Sequence, residues 1–141
     1  MYLVDTDVIS EARKGDKANP GVRKFFAEAA REELALYVSV ITVGELRQGV
    51  ERIRYRGDAA QASELERWLE KVGNDYRGHI LSFEEDAADM WGRLRVPHPE
   101  NPLDKQIAAM ALIYDLIVVT RNVDHFKPTG VRLRNPFTEP E

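Results

Sequence analysis

At 141 residues the chain has the size of one domain, expected to span 1–141, and can bury a core without a disulfide or structural metal. It contains no cysteine, which excludes disulfide frameworks, thiolate zinc sites and cysteine nucleophiles. A formal net charge of −4 argues against a protein that coats duplex DNA through a broad basic footprint, but not against an enzyme that grips nucleic acid locally through a bound cation.

Tyr2-Leu3-Val4 is a short apolar run ending at an acid, the pattern of a buried parallel strand. No basic stretch precedes that acid and no apolar run approaches the ~18–20 residues of a bilayer span, so neither signal peptide nor membrane helix is expected and the protein reads as cytoplasmic. A short helix is expected over Thr6 to Arg13, capped by Asp5 or Thr6. Asn19-Pro20 resembles a cap with proline in the first turn, and Val22, Phe25, Phe26 and Ala29 follow at helical spacing. Leu34 to Val38 is the second strand, closed by Ser39. A long helix then carries Val40, Val43, Leu46, Val50 and Ile53 until Gly57-Asp58 breaks it. Ala59 to Val72 is the next helix, expected to end at Gly73-Asn74. His79 to Phe83 is a third strand, and Glu84 to Leu94 a helix with Ala88 and Trp91 inward. After a proline-rich loop, Asn101-Pro102 is read as the cap of a helix over Leu103 to Tyr114, with Leu103, Ile107, Met110 or Ala111, and Tyr114 on one side. Leu116 to Val119 is the most apolar strand, Val131 to Leu133 a peripheral one, and Asn135-Pro136-Phe137 tucks in a last aromatic.

Strands alternating with helices imply crossover connections and a mostly parallel α/β sheet. Ligands of such sheets bind beyond the carboxyl ends of the strands, which directs attention to Asp5, Ser39 and Thr120. Asp5 and Asp7 follow the first strand, Glu45 lies two turns into a closely packed helix, Asp104 sits in a helical first turn, and Asp124 lies just past the fourth core strand. Two unit charges ~4 Å apart repel by about 4 kcal/mol at an effective dielectric near 20, so a fold that converges several carboxylates needs a cation. Mg²⁺, or Mn²⁺ in its place, prefers oxygen ligands and takes one or two carboxylates with water completing its shell. Such an ion activates water and stabilises charge on a phosphoryl oxygen. Singly, each acid has an ordinary reading: Asp5 as a cap, Asp104 as a partner of the helix dipole, Glu45 as half of a surface ion pair. The ordinary readings explain the set less well than they explain its members. The three histidines have no partner at metal-ligand spacing and are assigned surface or packing roles. Trp68 and Trp91 fall on apolar helix faces and read as core. Arg47 and Arg121 flank suspected site elements and are candidates for phosphate contact.

The motifs Leu3-Val4-Asp5-Thr6-Asp7-Val8-Ile9-Ser10, Ser39 to Gly49 with Gly44-Glu45-Leu46-Arg47, Pro102-Leu103-Asp104 with Ile107-Ala108-Ala109, and Val119-Thr120-Arg121-Asn122 with His125-Phe126 stand in this order from the first strand to the C-terminal region, and Asn135-Pro136-Phe137 also fits. In this set the chain resembles the PIN-domain ribonucleases and, within them, the VapC-like toxins of bacterial toxin–antitoxin pairs. The resemblance implies a PIN-like three-layer sandwich with a central sheet of four to five strands flanked by helices. It implies Mg²⁺-dependent RNA cleavage, with Asp5, Glu45 and Asp104 as site acids and Asp5 and Asp104 as principal metal ligands. It also implies a homodimer silenced by a cognate antitoxin. Two positions depart from the family. Many members have asparagine where this chain has Asp7, and many have a fourth acid where it has Asn122; Asp124, two residues on, is the other candidate for that fourth place. Surplus apolar surface on the helices between Ala27 and Val72 independently suggests an association face. The alternatives are a non-catalytic PIN module acting through a partner and, less well supported, a receiver-like phosphoacceptor domain. The latter would want lysine after the last core strand, where the chain has Thr120-Arg121-Asn122.

Overall fold

A computed structural model describes residues 1–139; the last two residues of the expected 1–141 domain lie outside the described residues. The chain runs β1 (Tyr2–Val4), α1 (Thr6–Ala12), α2 (Pro20–Arg31), β2 (Leu36–Ser39), α3 (Val40–Tyr55), α4 (Ala59–Asp75), β3 (Ile80–Leu81), α5 (Glu85–Leu94), α6 (Pro102–Tyr114), β4 (Ile117–Val119), α7 (Val123–Phe126) and β5 (Leu133–Arg134). The five strands form one sheet in the order β3-β2-β1-β4-β5. Every pairing is parallel, with Tyr2 beside Leu36 on one side and beside Ile117 on the other. The α/β architecture with a five-stranded parallel sheet is therefore the one expected.

Side-chain alternation along the strands divides the interior into two layers. Val4, Val38 and Val119 face α1, α2, α3 and α4, where Val8, Val22, Phe25, Leu46, Val50, Leu69 and Val72 complete one cluster. Leu3 and Val118, one residue earlier in their strands, face α5, α6 and α7 through Ala87, Ile107, Ala108, Met110 and Phe126. From β1 the chain builds outward through β2 to β3 and then crosses back to place β4 on the other side of β1. The reversal lies between β1 and β4, and it is beyond the strand ends at such a reversal that open α/β sheets bind ligands.

Several local expectations are corrected. Helix α4 does not stop at Gly73-Asn74 but continues to Asp75. Glycine ends a helix when the backbone turns left-handed there, and that turn comes only at Gly78, with φ 81°. Ala87, not Ala88, is the buried alanine of α5. Trp91 is half-buried, and its Nε1 donates to Pro102 O at 3.0 Å, so it clamps the start of α6 rather than filling the core. Leu103 and Tyr114 project outward at the two ends of α6, while Ile107, Ala108, Ala109, Met110 and Ala111 between them are sealed. Asn101 stands at the cap position of α6 with φ 55° and makes no side-chain cap bond, unlike Asn19, whose Oδ1 accepts from Gly21 N and Val22 N. The start of α6 is held instead by Trp91 and by the buried Lys105, whose Nζ donates to Glu100 O.

Candidate active site

The site grows from the ends of β1 and β4. Asp5 follows β1 immediately and is 3% exposed. Its amide donates to Val119 O at 2.9 Å, which ties the two strand ends together. One carboxylate oxygen, Oδ1, accepts from Thr6 N at 2.8 Å and caps α1, while Oδ2 accepts from Thr120 Oγ1 at 2.8 Å. The capping role and a role in the site are thus carried by different oxygens of one side chain. Burial, then the neighbouring Asp7 and more weakly Asp104, push Asp5 from 3.8 up to about 7, against the two hydrogen bonds that pull it down.

Asp7 lies in the first turn of α1. Its Oδ2 accepts from Arg121 N at 3.0 Å, whereas Oδ1 is buried without a hydrogen-bond partner. Burial raises its pKa, with Asp104 adding to the effect and Arg121 opposing it. Glu45, on α3, is half-buried, and its Oε1 accepts from Thr6 Oγ1 at 2.6 Å; Thr6 Oγ1 also lies 3.0 Å from the buried Thr42 Oγ1. Its pKa too is raised, first by burial and then by Asp104 and Asp7, with the Thr6 hydrogen bond opposing. Asp104, in the first turn of α6, places Oδ2 at 2.7 Å from His125 Nδ1. Acids from the end of β1, α1, α3 and α6 therefore share one electrostatic environment beyond β1 and β4, in which burial and neighbouring charge make Asp5, Asp7 and Glu45 resist ionisation.

This donor set fits a hard divalent cation. It consists of oxygen atoms, it holds like charges that a cation would relieve, and it includes an orphaned buried carboxylate oxygen. Among the described residues no group of three or more His, Asp and Glu side chains is gathered closely enough to hold a metal ion by itself. Mg²⁺ does not require one, since one or two carboxylates and several waters satisfy it.

The remaining candidates separate. Arg121 stays beside the acids through its backbone, and its guanidinium lies 3.9 Å from the centroid of the Phe137 ring. Arg47 does not join them. About 100° per residue puts it roughly 200° around α3 from Glu45, and its guanidinium pairs with Glu66 at 2.6 Å and Glu51 at 3.3 Å in a surface network with Arg54. Asn122 is exposed on the loop after Thr120, and its amide donates to Thr120 Oγ1 at 2.9 Å. Asp124 is directed outward: its side chain is 86% exposed and pairs with Lys127 at 3.3 Å. The sequence reading missed two features. One is His125, set aside for want of a partner at ligand spacing. The other is a groove lined by Thr6, Ser10, Arg13, Glu45 and Trp68, with the Arg13 guanidinium 5.9 Å from the Trp68 ring, so Trp68 borders the site as well as packing.

The PIN domain family model matches residues 2–130 of the chain. Toxin FitB of Neisseria gonorrhoeae is 32% identical over 142 residues, covering 97% of this chain and 99% of its own. Ribonuclease VapC10 of Mycobacterium tuberculosis is 31% identical over 141 residues, covering 99% of this chain and 96% of its own. The crystal structure of FitAcB from Neisseria gonorrhoeae superposes with a TM-score of 0.83 at 30% identity, covering 99% of this chain and all of that one.

Proposed function

We propose, on the premise that this chain belongs to the PIN domain family, that it is a divalent-metal-dependent ribonuclease and the toxin of a toxin–antitoxin pair. The observation that supports this reading is the convergence of acids beyond β1 and β4, where such sheets bind ligands: Asp5, Asp7 and Asp104 all meet the segment after β4 and Glu45 is held by Thr6, while burial and neighbouring charge raise the pKa of Asp5, Asp7 and Glu45. Relatives named as a toxin and as a ribonuclease, aligned over nearly the whole chain, support it.

Asp5 and Asp104 are the proposed ligands of Mg²⁺ or Mn²⁺. An ion bound there supplies a Lewis acid that makes water nucleophilic near neutral pH and offsets charge developing on the phosphoryl oxygens. Glu45, held by Thr6 and with its pKa raised by burial, is suited to accept the proton of the attacking water. Asp7 adds negative charge to the site. Arg121 on one side of the acids and Arg13 in the adjoining groove are the proposed phosphate contacts, and Arg47 is committed to its surface pairs. Asn122 is the proposed occupant of the fourth position, through its side-chain carbonyl; the outward Asp124 is left to Lys127. The partners of this reading are RNA, a cognate antitoxin and a second copy of the chain, and its setting is the cytoplasm. Among the described residues no helix is long and apolar enough to cross a membrane.

The test is cleavage of a mixed RNA pool in EDTA and across a Mg²⁺ titration, with Asp5→Asn and Asp104→Asn alongside. Cleavage should require the metal, and each variant should lose roughly 100-fold or more while keeping the parent's circular dichroism. Cleavage in EDTA, or either variant at the parental rate, would overturn the assignment. A chain that binds Mg²⁺ yet cleaves nothing would be the non-catalytic module.

A further inference from the structure

The segment that follows β4 touches three different acids in six residues. Thr120 Oγ1 donates to Asp5 at 2.8 Å, Arg121 N donates to Asp7 at 3.0 Å, and His125 Nδ1 lies 2.7 Å from Asp104 Oδ2. The first acid lies between β1 and α1, the second is on α1 and the third on α6, so this short loop bridges the two places that carry the proposed metal ligands. The sequence directs attention here for a fourth acid; what the loop delivers is a set of hydrogen-bonding groups.

We propose that His125 is a positioning residue for Asp104, fixing the carboxylate that the reading above assigns to the metal; this inference rests on that reading. Asp104 has His125 as its one side-chain hydrogen-bond partner among the described residues. Asp104 sits in the first turn of α6, where the helix begins at an asparagine that makes no side-chain cap bond. His125 is well placed to orient its carboxylate. The adjacent Phe126 is fully buried in the cluster beneath α6, and His125 N donates to Asn122 O at 3.0 Å, so α7 is pinned on its inner side while the imidazole reaches across to α6. With Nδ1 as the donor, one oxygen of Asp104 is held and the other is left to face a cation. Partners of this kind orient ligating side chains, and removing them typically costs about 10–100-fold in metal affinity or activity.

The experiment compares the parent, His125→Ala, His125→Asn and Asp104→Asn. It reads the Mg²⁺ or Mn²⁺ concentration that half-saturates the shift in thermal midpoint, and in parallel the concentration that half-saturates RNA cleavage. Asparagine sets its Nδ2 the same number of bonds from the backbone as the Nδ1 of histidine, so it retains the donor and discards the ring. His125→Ala should raise both half-saturating concentrations by about 10–100-fold without lowering the metal-free midpoint, and His125→Asn should restore them to within a few-fold of the parent. Unchanged metal dependence in His125→Ala would overturn the proposal. So would a His125→Asn variant as impaired as alanine, which would mean that the imidazole itself meets substrate. A parent protein whose midpoint does not respond to either metal, or responds equally in Asp104→Asn, would remove the metal-site reading and this inference with it. A response lost in Asp104→Asn but intact in His125→Ala would remove only this inference.

Discussion

Asp5 caps α1 with one oxygen and receives the Thr120 hydroxyl on the other, yet at 3% exposure it still prefers a proton up to about pH 7. The preference has a consequence for the metal-free protein. The fold favours the protonated form, so the stability contributed by Asp5 is fully present below its unfolded value of 3.8 and is lost as pH rises through about 7. At about 1.4 kcal/mol per pKa unit the full span is worth about 4 kcal/mol, an upper figure because the neighbouring acids titrate with it. Without divalent metal, the thermal midpoint should therefore be higher at pH 5 than at pH 7.5. Asp5→Asn should flatten that dependence and raise the midpoint at pH 7.5; a parent profile level between these two pH values would refute the account. Asp5, Glu45 and Asp104 stood out in the sequence as a set, at a strand end, in a packed helix and in a helical first turn, within the ordered motifs that carry the family resemblance. His125 did not. Its partner lies 21 residues away on another helix, and no local spacing rule reports a contact made by the fold.

Helix ends show the same limit one level up. The apolar periodicity placed α3, α4 and α6 correctly, but Gly73 was misread as a terminator because composition does not report φ. Since Gly73 is helical and a methyl group there would meet nothing within 4 Å, Gly73→Ala should stabilise the protein by about 0.5–1 kcal/mol. Gly21 is the opposite case. A Cβ there would stand 1.9 Å from Pro136 O, because the segment after β5 lies directly on the first turn of α2. Gly21→Ala should therefore lower the thermal midpoint although it too adds a methyl to a helix. Equal effects of the two substitutions on the unfolding curve would show that neither environment is as described. The tucked Phe137 was visible in sequence; its closeness to α2 was not, for a glycine in a first turn signals nothing without the backbone it touches.

The whole-molecule plan was the most legible level, since alternating strands and helices leave few ways to build a parallel sheet and a crossover to the far side of β1 sets the place where such sheets bind ligands. The pattern also points to an association face on the helices between Ala27 and Val72. Tyr55, 93% exposed at the end of α3, is the most exposed of several large apolar side chains left in solvent among the described residues, with Val96, Leu103 and Tyr114 at other places on the surface. Light scattering at micromolar concentration is expected to give twice the mass of one chain; a monomer would count against the dimer proposed above. Metal and folding should also be coupled. If Mg²⁺ binds only the folded chain, a hundredfold excess over its dissociation constant adds about 2.7 kcal/mol, seen as a concentration-dependent midpoint that Asp104→Asn abolishes.

The pairing of β1 with β4 joins the beginning of the chain to a segment made more than a hundred residues later, and the Thr120–Asp5 hydrogen bond spans 115 positions. During synthesis β1 can pair with β2 and cover Val4 with α1 to α4 early, but its other edge and Leu3, which packs against α5, α6 and α7, stay uncovered until those later segments have emerged. No shorter nascent chain can assemble the acid cluster, because Asp104 and the loop that grips Asp5 and Asp7 arrive last. The acid cluster is thus completed only when the last third of the chain is present. Such late closure is slow relative to local helix formation. Until it happens, one edge of the sheet stays open to any strand that will pair with it.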